Sequence, residues 1–313
     1  MIPNLEAVKL GTTTEAVTSF AGLPLFLQMG KTLGLEEKLN ALTLKERERG
    51  YTPGEMVFSL MGLLQAGGVA LDDIEVLRRD EGFRRLVKVI PAANTLGEFL
   101  RRFRNRTLYG IGRIVLNVGV FVIRMLKMKE VTLDIDAFTL ESKKETAERN
   151  YEGDVGFTPT MVTCAELKMP LCGIWRRGAA SPQANLVWLL RRVIDRLRGM
   201  RLTVRSDSAG YQSKLIRLCE ERGVAFTVTA DKDKAVLETI RAIPKTGWRR
   251  YEDDAYPNRI QEIAETVHAM GGKKTQAHRL VVVRWRREGA ELFEYDYHAV
   301  FTNREGKEEE ILT

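Results

Sequence analysis

The order of apolar patterns between residues 129 and 231 constrains the fold more than any other feature of the sequence. Alternating apolar and polar residues predict strands, apolar residues at helical spacing predict helices, and glycines mark where helices end. In chain order the patterns are the strands EVTLDIDAF, GFTPTMVTCAEL and PLCGIWRR, the helix SPQANLVWLLRRVIDRLRG, the strand MRLTVRSD, the helix YQSKLIRLCEERG and the strand VAFTVTAD. This order predicts an α/β fold built on a mixed sheet.

The chain on either side has a different character. Residues 1–128 show mostly helical signals, such as Thr52 as a helix N-cap directly before Pro53. Residues 232–313 combine a short helix with β-like runs that carry basic and aromatic side chains. We therefore expect a helical N-terminal domain over 1–128, an α/β core over 129–231 and a β-rich region over 232–313.

Composition narrows the class of protein. The 313 residues are 44% hydrophobic and 29% charged, which is typical of a globular protein of about two domains. The longest apolar stretch, 114–126, is shorter than the ~20 residues that span a bilayer and contains Asn117 and Arg124, and no signal peptide precedes it. The three cysteines show no CxxC spacing and lie far from the histidines, which disfavours zinc and indicates buried free thiols in a reduced, cytoplasmic protein.

Positive charge is concentrated in one window. The formal net charge is +7 and the pI about 9.3, and residues 78–113 contain ten basic residues against three acidic ones. The candidate contacts are Arg78, Arg79, Arg84, Arg85, Lys88, Arg101, Arg102, Arg104 and Arg106. Such a surface favours a polyanionic partner, nucleic acid first, although a solvated helix surface would show the same composition.

The basic window follows a helical layout. A helix over 91–106, with Thr95 as N-cap and Glu98 completing a capping box, would place Phe99 and Phe103 on its apolar face and the arginines outside. Together with a preceding short helix, this resembles a helix-turn-helix arrangement, in which phosphate contacts position a recognition helix.

Three aspartates form the candidate catalytic group. Asp134 and Asp136 share one face of the strand 130–138, and Asp207 ends the strand 200–207. If these strands are neighbours, the carboxylates converge and require a hard cation such as Mg²⁺ or Mn²⁺. Asp207 could instead cap a turn, and Asp134 could be a solvated edge residue or a support for a ligand. No triad-like spacing, GxxxxGK[ST] or GxGxxG supports a serine hydrolase or a nucleotide-dependent enzyme.

Several motifs together resemble a known family. VTLDIDAF, NYEGDVGFTP, WRRGAASPQ, VRSDSAGYQ and VAFTVTADKDKAV, in this order, resemble bacterial insertion-sequence transposases of the Asp-Asp-Glu type. The segments LDDIEVLRRD and IPAANTLGEFLRRF are similar to the DNA-binding region of that family, so the resemblance covers most of residues 50–313. It implies an RNase H-like mixed sheet with flanking helices and a β-rich insertion, preceded by a helical DNA-binding domain.

The resemblance also assigns the aspartates. The family's first aspartate falls on Asp136, although Phe138 stands where the Asp-x-Thr motif has threonine. The second falls on Asp207, 71 residues further on, and Asp134 is an acidic neighbour and the second choice for the first ligand.

The third carboxylate of the family has no match. Its helix motif, Tyr-x2-Arg-x3-Glu-x6-Lys, is not found, and Ala179 replaces an expected asparagine. Glu308, Glu309 and Glu310 precede the expected position and are interpreted as a solvated acidic run. These departures lead us to expect a C-terminally truncated or decaying copy that lacks the final catalytic helix.

The implied function is that of an insertion-sequence transposase in the bacterial nucleoid. It would cleave and transfer DNA strands at transposon ends with two Mg²⁺ (or Mn²⁺) ions on Asp136 and Asp207, inside a homo-oligomeric synaptic complex. Further DNA contacts are expected from Lys273, Lys274, Arg284, Arg286 and Arg287. Two alternatives remain: a non-catalytic DNA-binding fragment that inhibits an intact transposase, and a different RNase H-like nuclease.

Overall fold

The computed structural model describes residues 11–42, 44, 50–150, 152–253, 255–257, 259–271, 276–286 and 295–312. They belong to two compact units, Met1–Ile114 and Val115–Thr313, which are described separately here. The domain boundaries expected from the sequence stay predictions.

The first unit is helical, as expected for this part of the chain. Its helices are α1 (Leu23–Thr32), α2 (Leu35–Asn40), α3 (Pro53–Gln65), α4 (Ile74–Arg79), α5 (Glu81–Leu86) and α6 (Ala93–Arg101), and α7 (Asn105–Met125) begins in it. The predicted N-cap of α3 is confirmed: the Thr52 side chain accepts the Glu55 amide at 3.2 Å, and the Glu55 carboxylate accepts the Thr52 amide at 2.7 Å. This reciprocal pair satisfies two amides that the helix cannot pair internally.

The single helix predicted over 91–106 is wrong. The Leu96 amide already donates to the Ala92 carbonyl at 3.1 Å, so α6 begins at Ala93 and Thr95 lies inside it instead of capping it. Leu96 and Phe99 of α6 are buried. The segment 91–106 is therefore divided between two helices, α6 and α7.

Helix α7 is longer than the apolar stretch visible in the sequence. Its 21 residues are long and apolar enough to cross a membrane by length and composition alone, and no second helix in the described ranges meets that criterion. Leu116, Val120 and Ile123 are nevertheless buried in the core of the second unit. The core helix of a globular domain has the same character.

A sheet of nine strands organises the described part of the second unit. The strands of this unit are β1 (Glu130–Ala137), β2 (Leu140–Glu141), β3 (Glu148–Arg149), β4 (Val155–Phe157), β5 (Thr160–Cys164), β6 (Met169–Ile174), β7 (Arg201–Ser206), β8 (Ala225–Thr229), β9 (Arg249–Tyr251), β10 (Gln261–Ala269), β11 (Ala277–Arg286) and β12 (Tyr295–Thr302). The large sheet has the order β6-β5-β1-β7-β8-β12-β11-β10-β9. A small separate sheet, β2-β4-β3, was not predicted.

The predicted mixed sheet with flanking helices is confirmed. Strands β1, β7 and β8 are parallel neighbours, β5 pairs antiparallel with β1, and β6 pairs antiparallel with β5. The helices of this unit are α8 (Leu186–Arg196), α9 (Ser213–Arg222), α10 (Lys234–Arg241) and α11 (Glu308–Leu312). Helix α8 connects β6 to β7, and helix α9 connects β7 to β8, as the sequence order requires. The β-rich region extends the same sheet, because β12 pairs directly with β8.

Burial follows the predicted alternation. Val131, Leu133 and Ile135 on β1 are at most 1% exposed, and they pack with Leu189 and Val193 of α8 in one large core. The strand therefore presents its aliphatic face to the core, and Asp134 and Asp136 are on the opposite face. The three cysteines are free and buried, as predicted.

This core yields the first prediction. Leu189→Ala should lower the free energy of unfolding of the second unit by about 2–5 kcal/mol, because it leaves a cavity beneath the sheet. Arg191→Ala, on the exposed side of the same helix, should change it by less than about 0.5 kcal/mol. All four tryptophans lie in the second unit, so tryptophan fluorescence during urea denaturation measures its unfolding. Equal effects of both substitutions would contradict this packing.

Candidate active site

Two aspartates are placed side by side where parallel strands end. Ile135 of β1 is in register with Ser206 of β7, and Asp136 and Asp207 are the residues that directly follow this pair. The carboxyl ends of parallel strands lie at one edge of the sheet, where sites form in open α/β sheets. The condition for convergence set out from the sequence, that the two strands are neighbours, is met.

Each of these carboxylates has one oxygen held by the protein. Asp136 Oδ1 accepts the Ala137 amide at 2.7 Å. Asp207 Oδ1 accepts the Ala209 amide at 3.0 Å and the Ser206 hydroxyl at 3.4 Å, so Asp207 also caps the turn Ser208–Gly210. Both Oδ2 atoms lack a hydrogen-bond partner among the described residues, which leaves two oxygens available to an external ligand.

Asp134 has a different environment. Both of its oxygens accept hydrogen bonds from the Arg205 guanidinium, at 2.7 Å from Nε and 2.8 Å from Nη2. The two residues are register partners on β1 and β7. Its carboxylate is thus compensated within the protein, which favours Asp136 over Asp134 as a ligand for a cation.

A further aspartate, which sequence reasoning missed, acts on this edge. Loss of hydration raises the pKa of the Asp207 carboxyl above its ordinary value, and the negative charges of Asp136 and Asp231 add to that effect. Asp231 follows β8, the parallel neighbour of β7. Its position at the end of VAFTVTAD was the available signal, because Asp207 likewise ends MRLTVRSD.

The acidic run near the end of the chain is not simply solvated. Glu308 and Glu309 both pair with Arg249 of β9, at 3.0 and 2.6 Å. They begin α11, whose Ile311 packs against β10, β11 and β12. Across the described residues, no three histidine, cysteine, aspartate or glutamate side chains are gathered closely enough to hold a metal ion.

Two observations nevertheless suit a hard divalent cation at Asp136 and Asp207. All available donors are carboxylate oxygens, which Mg²⁺ and Mn²⁺ prefer. The raised pKa of Asp207 reflects in part an uncompensated repulsion from Asp136, and a bound cation would relieve it.

The predicted DNA-binding residues lie on the helices of the first unit and on the segments between them. Most of them are exposed: Arg79, Arg84, Arg85, Lys88, Arg101, Arg104 and Arg106, whereas Arg78 and Arg102 are half-buried. Among them, Arg78 pairs with Glu75 at 2.6 Å and Arg85 pairs with Glu81 at 2.8 Å, each along its own helix.

Of the five basic residues expected in the β-rich region, Lys273, Lys274 and Arg287 lie outside the described residues. Arg286 is exposed at the end of β11. Arg284 lies between the rings of Trp248 and Tyr295, 3.9 and 4.4 Å from their centroids, and pairs with Glu262 at 2.8 Å. Its charge is therefore largely engaged within the protein.

Comparison with known families gives a match over nearly the whole chain. The family model described as "Transposase DDE domain group 1" matches residues 4–313. The chain belongs to this transposase DDE family. No functionally curated protein matches it.

Among solved structures, the transposase DDE chain is similar to a piggyBac transposase in a cryo-EM structure of its synaptic complex with hairpin DNA. The TM-score is 0.41 and the sequence identity 13%. The match covers 91% of this chain and 61% of the piggyBac chain, so this chain spans less than two thirds of the protein it resembles.

The electrostatics of Asp207 predict a pH dependence. A carboxyl whose pKa is raised by folding stabilises the protein when protonated, and this contribution is lost as the pH rises through the raised pKa. Asp207→Asn should therefore increase the free energy of unfolding at pH 7, and the increase should vanish below about pH 3, where the wild-type carboxyl is protonated in both states.

Asp195 provides a control of opposite sign. Partial burial acts to raise the pKa of the Asp195 carboxyl, but Arg198 and Arg222 outweigh burial and lower this pKa below its ordinary value. Asp195→Asn should decrease the free energy of unfolding at pH 7, and this loss should also fade in acid. Urea denaturation at several pH values measures both, and a destabilising Asp207→Asn at pH 7 would contradict the proposed repulsion.

Proposed function

We propose that this protein acts as a DNA transposase, cleaving DNA strands at transposon ends and transferring them to a target. The observation that carries the proposal is the alignment of Asp136 and Asp207 at the ends of adjacent parallel strands, each with an unpartnered Oδ2. Membership of the transposase DDE family supports it. We also propose that the protein is encoded by an insertion sequence and that it acts in the bacterial cytoplasm, at the nucleoid.

The chemistry requires a divalent cation, Mg²⁺ or Mn²⁺, and two are expected. Asp136 and Asp207 would hold them through the Oδ2 atoms, with Asp134 as a neighbouring carboxylate. Bound there, the ions would stabilise the attacking and leaving oxygens of a phosphodiester displacement. The protein fixes each carboxylate through its Oδ1 atom, so that the free oxygens are oriented before DNA binds.

DNA would be bound through the exposed basic residues of α4 to α7 and the segments between these helices. These side chains lie in a helical unit whose net positive charge favours phosphate contacts. Such contacts position the duplex without reading its sequence. A homo-oligomeric complex that brings two transposon ends together is part of this proposal.

A second candidate function is DNA binding without catalysis. Within the described part of the chain, no third carboxylate joins Asp136 and Asp207 closely enough to complete a metal site. A protein of this kind would occupy transposon ends and inhibit an intact transposase. A different RNase H-like nuclease would share the two aspartates but would require no transposon ends.

Strand cleavage separates these functions. With a supercoiled plasmid carrying the transposon ends and Mn²⁺, we expect nicking that falls to background in Asp136→Ala and Asp207→Ala, since each removes half of the available ligand oxygens. Arg205→Lys, which keeps a positive charge beside Asp134, should retain most of the nicking. Binding to the ends without nicking in any divalent metal would favour the inhibitor, and nicking of plasmids without the ends would favour a general nuclease.

DNA binding has its own test. Replacing Arg104 and Arg106 together with alanine should weaken binding to all DNA sequences and reduce the slope of log affinity against log salt by about 2, one for each lost phosphate contact. Lys38→Ala, an exposed basic residue of the same unit outside the window, is the control. Fluorescence anisotropy at several salt concentrations measures both slopes. An unchanged slope in the double variant would place the DNA elsewhere.

A further inference from the structure

The second unit contains a buried arginine without an acidic partner. Arg176 is 6% exposed, and no described carboxylate forms an ion pair with it. Burial lowers the pKa of its guanidinium, and burying a charge is costly unless hydrogen bonds compensate it. Such a residue requires a specific explanation, because an aliphatic side chain would fill the same space at lower cost.

The guanidinium is compensated by backbone carbonyls from two separate segments. Its Nε donates to the Thr158 carbonyl at 2.9 Å. Its Nη1 donates to the carbonyls of Ser181 and Ala184 at 2.9 and 3.0 Å, and to that of Pro182 at 3.3 Å. The buried Nη2 has no partner among the described residues. Arg176 therefore connects the segment before β5 to the segment before α8.

The first of these segments leads to Asp136. Two residues after Thr158, Thr160 is in register with Ala137, which directly follows Asp136 on β1. The Phe138 amide donates to the Pro159 carbonyl at 3.1 Å. The bond from Arg176 to Thr158 therefore lies next to the backbone that fixes the end of β1.

The second segment leads to Asp207. The side-chain amide of Gln212 donates to the Gln183 carbonyl at 3.1 Å and to the Ala209 carbonyl at 2.7 Å. The Ala209 amide in turn donates to Asp207 Oδ1. Hydrogen bonds and the backbone between them thus connect the segment held by Arg176 to the carboxylate at the end of β7.

We infer that Arg176 is a positioning residue that fixes the separation of Asp136 and Asp207 by clamping the two segments that support them. It reaches neither carboxylate and has no access to DNA. Its planar guanidinium suits this role, because it donates in fixed directions to carbonyls of both segments at once. The consequence for metal binding rests on the proposed function, whereas the clamping itself does not.

The test uses the full-length protein and Mn²⁺. Arg176→Lys keeps the charge but loses the forked geometry, and Gln212→Ala breaks the connection to Asp207 without disturbing the buried charge. Both should lower Mn²⁺ affinity, measured by electron paramagnetic resonance, by about tenfold or more, as loss of a residue that orients metal ligands typically does. Arg177→Lys, at the exposed neighbouring residue paired with Glu148, should leave the affinity unchanged.

Amide hydrogen exchange gives a second readout that needs no metal. In the folded Gln212→Ala and Arg176→Lys proteins, the Ala209 amide should exchange faster than in the Arg177→Lys control, and in Arg176→Lys the Phe138 amide should as well. Wild-type exchange in both folded variants would overturn the inference. If Arg176→Lys does not fold, Gln212→Ala tests the connection from the second segment to Asp207, and wild-type exchange of its Ala209 amide would overturn the inference. If the wild type binds Mn²⁺ no better than the Asp136→Asn, Asp207→Asn double variant, the proposed function fails, and the exchange rates still test the clamp.

Discussion

The parallel pairing of β1 with β7 is the constraint on which the rest of the candidate site depends. It brings residues 71 positions apart in the chain into register, so that Asp136 and Asp207 end adjacent strands at one edge of the sheet. Helix α8 makes this pairing possible, because parallel strands require a long crossover. The core between α8 and the sheet stabilises the same connection, so packing and site geometry have a common origin.

The charged side chains of the second unit differ in whether the protein itself neutralises them. Asp134 is neutralised by Arg205, and the guanidinium of Arg176 is satisfied by carbonyls. Asp136 and Asp207 have no such cationic partner among the described residues, and burial, together with repulsion from Asp136, raises the pKa of the Asp207 carboxyl. A protein that compensates charges elsewhere leaves this pair uncompensated, which is expected of a site that binds a cation.

Much of the fold could be predicted from local patterns, because strands and helices of the core carry clear periodicities and glycine stops. The alternation in VTLDIDAF established which face of β1 is buried, and the order of elements implied the mixed sheet. The start of α6 could not be predicted, since Thr95 has the chemistry of an N-cap, whereas the helix begins at Ala93 without a side-chain cap. The small sheet β2-β4-β3 was missed because its strands have two or three residues, too few to show a period.

The site itself was predictable only in part. Asp136 and Asp207 follow strand patterns, and their roles remain predictions. The effect of Asp231 on the pKa of Asp207 depends on β8 lying beside β7. The charge of Arg176 is compensated by backbone carbonyls, which every residue has, so the sequence does not identify them. The pairing of Glu308 and Glu309 with Arg249 depends likewise on a contact between residues about 60 positions apart.

The ion pair between Asp134 and Arg205 has a consequence for the alternative alignments of the sheet. If β7 slipped by two residues along β1, the same faces would stay buried, so hydrophobic burial alone discriminates weakly against that error. In one direction the slip would set Arg205 opposite Asp136 and Asp207 opposite Phe138. Arg205 would then neutralise Asp136, and Asp207 would no longer lie beside it. The two-pronged contact between Asp134 and Arg205 forms only in the native alignment. The native alignment is therefore the one that uses Arg205 to compensate Asp134 and leaves Asp136 and Asp207 without a cationic partner among the described residues.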